Sequence, residues 1–150
     1  MIHANLEPSI VNVARSLLTD VKMKIGNKVI AANRGTPQGA VTSPILYLIY
    51  INSLIQSLNA LHPDTVALAF ADDIAIVTHG LDNLNEVMTL TDTWMAANKT
   101  EINRSKSAIM VIRQDKRTRD YPERQLHGIE IRSKYLYLGV WFDDDVTLRV

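Results

Sequence analysis

The stretch Val66-Ala-Leu-Ala-Phe70-Ala71-Asp72-Asp73-Ile74-Ala-Ile-Val-Thr78 decides the fold of this 150-residue chain. Two β-prone runs, Val66 to Phe70 and Ile74 to Thr78, flank Ala71-Asp72-Asp73, which predicts a hairpin with aspartates at its tip. Two carboxylates forced together repel unless a divalent cation sits between them. Magnesium suits such a place, because it prefers a few carboxylates plus substrate phosphates to a full protein cage. Side chains alternate faces along a strand, so adjacent carboxylates address one site only if they lie at a turn. Aspartate is also an ordinary turn residue, and an Ala-Asp-Asp turn taken alone needs no metal to explain it.

Upstream of the hairpin, Ser43-Pro44 opens a run that is apolar on most sides through Leu58. Serine as N-cap with proline at the first helical position predicts a helix start there, and the run predicts a buried helix. The Gly-, Pro- and Thr-rich segment from Asn33 to Thr42 is a loop, with Arg34-Gly35-Thr36-Pro37-Gln38-Gly39 at its centre. Its two glycines allow close backbone approach, and the following helix terminus offers free N–H groups to a phosphate or base edge. Gln38 can donate and accept one hydrogen bond each, as reading one nucleotide edge requires. A tight turn with a cap accounts for the same residues more plainly. Before the loop, Leu6 to Val21 has helical spacing, and Lys22 to Ala31 predicts a hairpin about Gly26-Asn27.

Downstream, Gly80 to Asn83 is a turn, and Leu84, Val87, Met88, Leu90, Thr91, Trp94 and Met95 mark an amphipathic helix ending near Asn98. Strand-like runs follow at Ser107 to Arg113, Leu126 to Ile131 and Tyr135 to Phe142, the first two separated by a basic loop, Gln114 to Arg124. Strands interleaved with two or three helices, without repeats or linkers, predict one α+β domain: an antiparallel sheet with helices packed on one face.

Composition narrows the function classes. With 47% hydrophobic residues the chain can build a core, and with no cysteine it has no disulfide, thiolate metal site or cysteine nucleophile. Its longest apolar runs, Ile45 to Ile51 and Val66 to Ala71, fall far short of the ~20 residues that span a bilayer, and the first thirty residues, with no basic stretch followed by an apolar run, give no expectation of a secretory signal. A soluble, intracellular protein with no membrane partner is expected. The formal net charge is 0, but Lys99 to Lys134 carries ten basic residues against five acidic ones, a local +5, while residues 1–98 carry −3. An acidic segment beside a basic one suits a metal site next to a phosphate-tracking surface, and suits a solvated face of mixed charge as well.

The order and spacing of Arg34-Gly-Thr-Pro-Gln-Gly-Ala-Val-Thr-Ser-Pro44, Phe70-Ala-Asp-Asp73, Trp94, Asn98, Asn103, Lys106 and Tyr137-Leu-Gly-Val140 carry more than any one of them. The set strongly resembles the reverse transcriptases of non-LTR retrotransposons, and more loosely those of group II introns, over roughly Asn33 to Asp143. The resemblance implies residues 1–150 to be a partial polymerase palm with the start of the primer-supporting hairpin toward its C-terminus. It implies an RNA-directed DNA polymerase with RNA template, DNA primer and deoxynucleoside triphosphates as partners, and two magnesium ions. Asp72 and Asp73 match the metal-site aspartates, with Asp72 favoured as direct ligand. Arg34, Gly35, Pro37, Gln38, Gly39 and Ser43 match the loop and helix start against template and incoming nucleotide. Lys106 matches a lysine near the nucleotide phosphates, and a solvated surface lysine equally. Leu138 and Gly139 match the primer-supporting hairpin. A nuclear location is compatible with the family.

The chain departs from the pattern in one respect. The family carries a third catalytic aspartate on a strand upstream of Leu6 to Val21, and no residue before Arg34 matches it: Glu7 stands at a helix start and Asp20 by a helix end. The first catalytic strand, the fingers and the thumb are expected to belong to a missing segment, and the 150 residues alone to be inactive. The alternative is a non-catalytic, RNA-binding remnant of a palm. An RNA-templated RNA polymerase fits less well, since those enzymes usually have Gly where Ala71 stands and lack the Pro-Gln-Gly loop. Trp94 is expected to pack, His79 and His127 to be structural, and Asp143, Asp144 and Asp145 to form a solvated turn.

Overall fold

The computed structural model describes residues 7–31, 35, 39–112 and 124–144. Two compact units divide at residues 87 and 88.

In the first unit, α1 (Pro8–Leu18) has a proline in its first turn, where the missing N–H is no loss, and ends with Thr19 bonding back to Arg15 O through both its N–H and its hydroxyl. Lys22–Ile25 (β1) and Lys28–Ala31 (β2) form an antiparallel hairpin closed by Gly26-Asn27, as the sequence predicts. The central helix α2 spans Ser43–Asn59. Ser43 is its first helical residue and not its cap; Thr42 takes the cap position, in helical φ/ψ and without a side-chain bond to the helix. The shift is one residue, within the ordinary fraying of a helix end.

The core of this unit lies between α2 and the hairpin of β3 (Val66–Phe70) and β4 (Asp73–Val77). Ile51, Leu54 and Leu58, three or four residues apart along one stripe of α2, are buried, as is Ala67 of β3. Each fully buried leucine contributes about 1.5–3 kcal/mol. The small Ala67 lets helix and strand approach, and Asn59 fixes the join: its Oδ1 accepts from Ala67 N at 2.6 Å and its Nδ2 donates to Ala67 O at 3.3 Å. The opposite end of the hairpin is tied by Thr65 and Thr78, whose hydroxyls lie 2.9 Å apart. Cross-strand pairing sets Val66 against Val77, Leu68 against Ala75 and Phe70 against Asp73 on one face. That outer face is apolar and open, with Leu68, Phe70 and Val77 each more than 60% exposed.

The boundary between units falls within α3 (Leu81–Ala97), which starts a turn earlier than its apolar spacing suggests because Gly80 accepts from Leu84 N. Val87, Met88 and Thr91 are its buried stripe. In the second unit a single 3₁₀ turn, Arg104–Lys106, precedes β5 (Ala108–Ile109), β6 (Gln125–Leu126) and β7 (Ile129–Ile131), with β7 central. Here β8 (Lys134–Tyr137) and β9 (Val140–Asp143) make a separate hairpin.

The α+β class holds, but the sheet differs from the expected one. Among the described residues the strands form four small sheets, and β5 pairs with β7 in parallel while the other pairings are antiparallel. Two runs expected as single strands fold back on themselves, at His127-Gly128 and Leu138-Gly139. Both residues of each pair have positive φ, the conformation of the tightest two-residue hairpin turn.

Candidate functional site

The two aspartates sit where β3 turns into β4. Asp72 is the second residue of a two-residue turn and Asp73 opens β4 opposite Phe70. Both are exposed, and among the described residues neither carboxylate is held by a hydrogen bond or a cationic side chain. The turn's first residue, Ala71, has φ +50°, and Gly26 holds the same position of the β1–β2 turn at +59°. Glycine is the favoured residue there, and an L-side chain in the left-handed region costs roughly 1–2 kcal/mol. Ala71→Gly is therefore expected to stabilise the hairpin by up to about 1 kcal/mol, the strain relieved less the greater freedom of glycine in the unfolded chain. A lower urea midpoint for this variant would contradict the strain.

The helix side of this site is aromatic. Tyr47 of α2 has its phenol held above the usual range, first by burial, then by the negative charges of Asp72 and of a nearby phenol, Tyr50. Burial also raises Tyr50, whose ring centroid lies 6.2 Å from that of Tyr47. Tyr47 thus stands near Asp72 as a neutral hydroxyl at neutral pH. No motif in the sequence points to Tyr47, because it lies within an apolar run that reads only as buried helix.

As donors, two exposed carboxylates on adjacent residues fit a hard divalent cation that completes its shell with water and phosphate. Among the described residues no three His, Asp or Glu side chains converge, so the pair is a partial ligand set.

Of the loop before α2, Gly35 and Gly39 are described, with φ +81° and +86°. Both are conformations that other residues adopt only with strain. Arg34, Pro37 and Gln38 lie outside the described residues, as do most of the basic loop, 113–123, and Asp145. Ser43 is half-buried at the helix start.

In the second unit Lys106 ends the 3₁₀ turn with its side chain exposed. Asn103 caps that turn by accepting from Lys106 N, and Tyr135 donates to Lys106 O at 2.5 Å. Arg104, read from sequence only as part of the basic segment, bonds Asp92 Oδ1 at 2.7 Å and also donates to His127 O. An open cleft of about 810 Å³ lies between this turn and α3, lined by Asp92, Met95, Thr100, Glu101, Asn103 and Arg104. Leu138 and Gly139 form the two-residue turn of β8–β9, and Leu138 is half exposed. His127 has a structural place in the β6–β7 turn, while Asp143, expected in a solvated turn, is instead the last residue of β9, half-buried opposite Lys134. No described helix is long and apolar enough to cross a membrane.

The aspartate turn, the glycine-rich entry to a helix and the Asn103–Lys106 turn are three of the segments on which the sequence resembles the reverse transcriptases. The sequence profile of the reverse transcriptase (RNA-dependent DNA polymerase) family matches residues 3–142, and the chain belongs to that family. Among curated proteins, the RNA-directed DNA polymerase from mobile element jockey of Drosophila funebris is 30% identical over 126 residues. The match covers 77% of this chain and 14% of that protein, so the chain corresponds to a small part of its relative's length. No solved structure matches.

Proposed function

We propose that this chain is the palm part of an RNA-directed DNA polymerase of a mobile element, with Asp72 and Asp73 as metal-binding carboxylates. The observation that carries the reading is the exposed aspartate pair on a tight, strained turn, in a chain of the reverse transcriptase family. Backbone strain of this kind gathers at working sites, where the surroundings hold what the residue alone would avoid. Two magnesium ions, when bound, would polarise the α-phosphate, activate the primer hydroxyl and stabilise departing pyrophosphate. The chain's own contribution is placement. The β3–β4 hairpin sets Asp72 in its turn and Asp73 beside it at the start of β4, and the packing of α2 under β3 fixes that end of the hairpin relative to the helix that follows Gly39. That loop, with Arg34, Pro37, Gln38 and Ser43, would lie against template and nucleotide. Lys106 would meet the nucleotide phosphates, and Leu138 and Gly139 would support the primer.

A metal pair of this type uses a third carboxylate, and no residue before Arg34 matches the one the family carries. The complete polymerase is therefore expected to extend a DNA primer on an RNA template with deoxynucleotides and magnesium, and the 150 residues alone to incorporate nothing. Primer extension with each nucleotide class tests this. Incorporation of ribonucleotides in preference to deoxynucleotides, or sustained extension by the isolated chain, would overturn the reading.

A further inference from the structure

The 3₁₀ turn that ends in Lys106 is anchored far more heavily than an exposed surface turn requires. None of its three residues is buried, so apolar packing does not hold it. Hydrogen bonds do, from three directions. Along the chain, Asn103 Oδ1 accepts from Lys106 N and from Ser105 Oγ at 2.8 Å, while Asn103 O accepts from Ser107 Oγ at 2.9 Å. From β8, the Tyr135 hydroxyl reaches across 29 positions of sequence to donate to Lys106 O. From the side, Arg104 spans two elements: its guanidinium pairs with Asp92 of α3 and also donates to the His127 carbonyl in the β6–β7 turn. Gly128 lies beside the Arg104 stem, where a Cβ would be in van der Waals contact with Cδ at 3.4 Å.

Every one of these bonds fixes the backbone around Lys106 and leaves its side chain projecting into solvent, with no carboxylate partner among the described residues. A lysine ammonium is a point charge on a flexible stem, so where it can act depends on where its backbone is held. We propose that Asn103, Arg104 and Tyr135 are positioning residues, which set the Lys106 turn so that its ammonium meets an anionic phosphate of the incoming nucleotide. The proposal rests on the reading of Lys106 as a phosphate-binding group. Tyr135 is the informative member, because its hydroxyl can be removed without disturbing the ring.

The test is steady-state primer extension by the complete polymerase carrying Lys106→Ala, Tyr135→Phe, or both, with KM for the deoxynucleotide and kcat measured separately. Lys106→Ala is expected to raise KM about tenfold, the value of a charge-assisted contact. Tyr135→Phe should raise KM about fivefold, the value of one hydrogen bond, with the effect concentrated in KM. The double variant should be no worse than Lys106→Ala, since Tyr135 acts only through that lysine. A Tyr135→Phe enzyme with unchanged KM, beside a Lys106→Ala enzyme with raised KM, would overturn the positioning role and leave the lysine's role intact. Multiplicative effects in the double variant would also overturn it. An unchanged KM for Lys106→Ala would remove the phosphate contact itself, and the proposal with it.

Discussion

Asp72→Ala in the complete polymerase is expected to reduce magnesium-dependent primer extension by roughly 10³-fold or more, because a metal-held charge interaction contributes several kcal/mol to phosphoryl transfer. The carboxylate stands at the apex of the β3–β4 turn, exposed, with no cationic side chain among the described residues to neutralise it. Its removal leaves the strands paired through Val66–Val77 to Phe70–Asp73, so the hairpin should persist. Asp72→Asn is the sharper variant. It preserves shape and turn propensity but removes the charge, and it should fail as badly as alanine if the role is to hold a cation. Asp73→Ala should cost less if Asp72 is the direct ligand. Circular dichroism of the variants would show that the fold survives. Normal extension by Asp72→Ala under magnesium would end the assignment of this residue as a ligand.

Leu54→Ala is expected to have the largest effect on stability. Leu54 is fully buried at the middle of the α2 stripe, between Ile51 and Leu58. Truncation there loses transfer energy and leaves a cavity, a combined cost of about 2.7–5 kcal/mol. Domains of ordinary stability have only ~5–15 kcal/mol to lose, so the variant should unfold at much lower urea concentration. The consequence reaches the aspartates, because α2 is the element packed beneath β3. A urea midpoint close to that of the parent protein would mean that α2 does not carry the core of this unit.

The sequence made legible those features whose local chemistry is strong. Gly26-Asn27 and Ala71-Asp72 lie between β-prone runs, and both hairpins form there. The apolar spacing of α3 likewise announces its buried face, whereas α2, expected to be buried, buries only the stripe Ile51, Leu54 and Leu58 and leaves Ile45, Leu48 and Tyr50 exposed. His127-Gly128 and Leu138-Gly139 were hidden, since residues other than glycine are uncommon in the left-handed region that the first turn residue needs, and bulky leucine especially so. Each pair therefore read as the interior of a single strand. The family motif around Leu138-Gly139 marked a hairpin where propensity did not. At the candidate site, the aspartate pair was legible as a motif, whereas Tyr47 and the Arg104–Asp92 pair were not. Their significance comes from proximity created by packing, and nothing in an apolar run or a basic segment encodes a partner 12 or 25 positions away.

The two-residue closure between β3 and β4 also bears on the order in which the molecule assembles. A hairpin of adjacent strands joined by so short a loop forms in about 1–10 µs, well before contacts between distant segments of a chain are settled. Asp72 and Asp73, already neighbours in sequence, are thus fixed at the end of the hairpin by the most local event in this part of the chain, early enough for a divalent cation to meet them while the surrounding protein is still folding. The open apolar side of the same hairpin, where Leu68 and Phe70 stay exposed in the folded structure, is a surface vulnerable to adventitious pairing during folding and after it. Expression at low temperature and low concentration should accordingly improve the soluble yield.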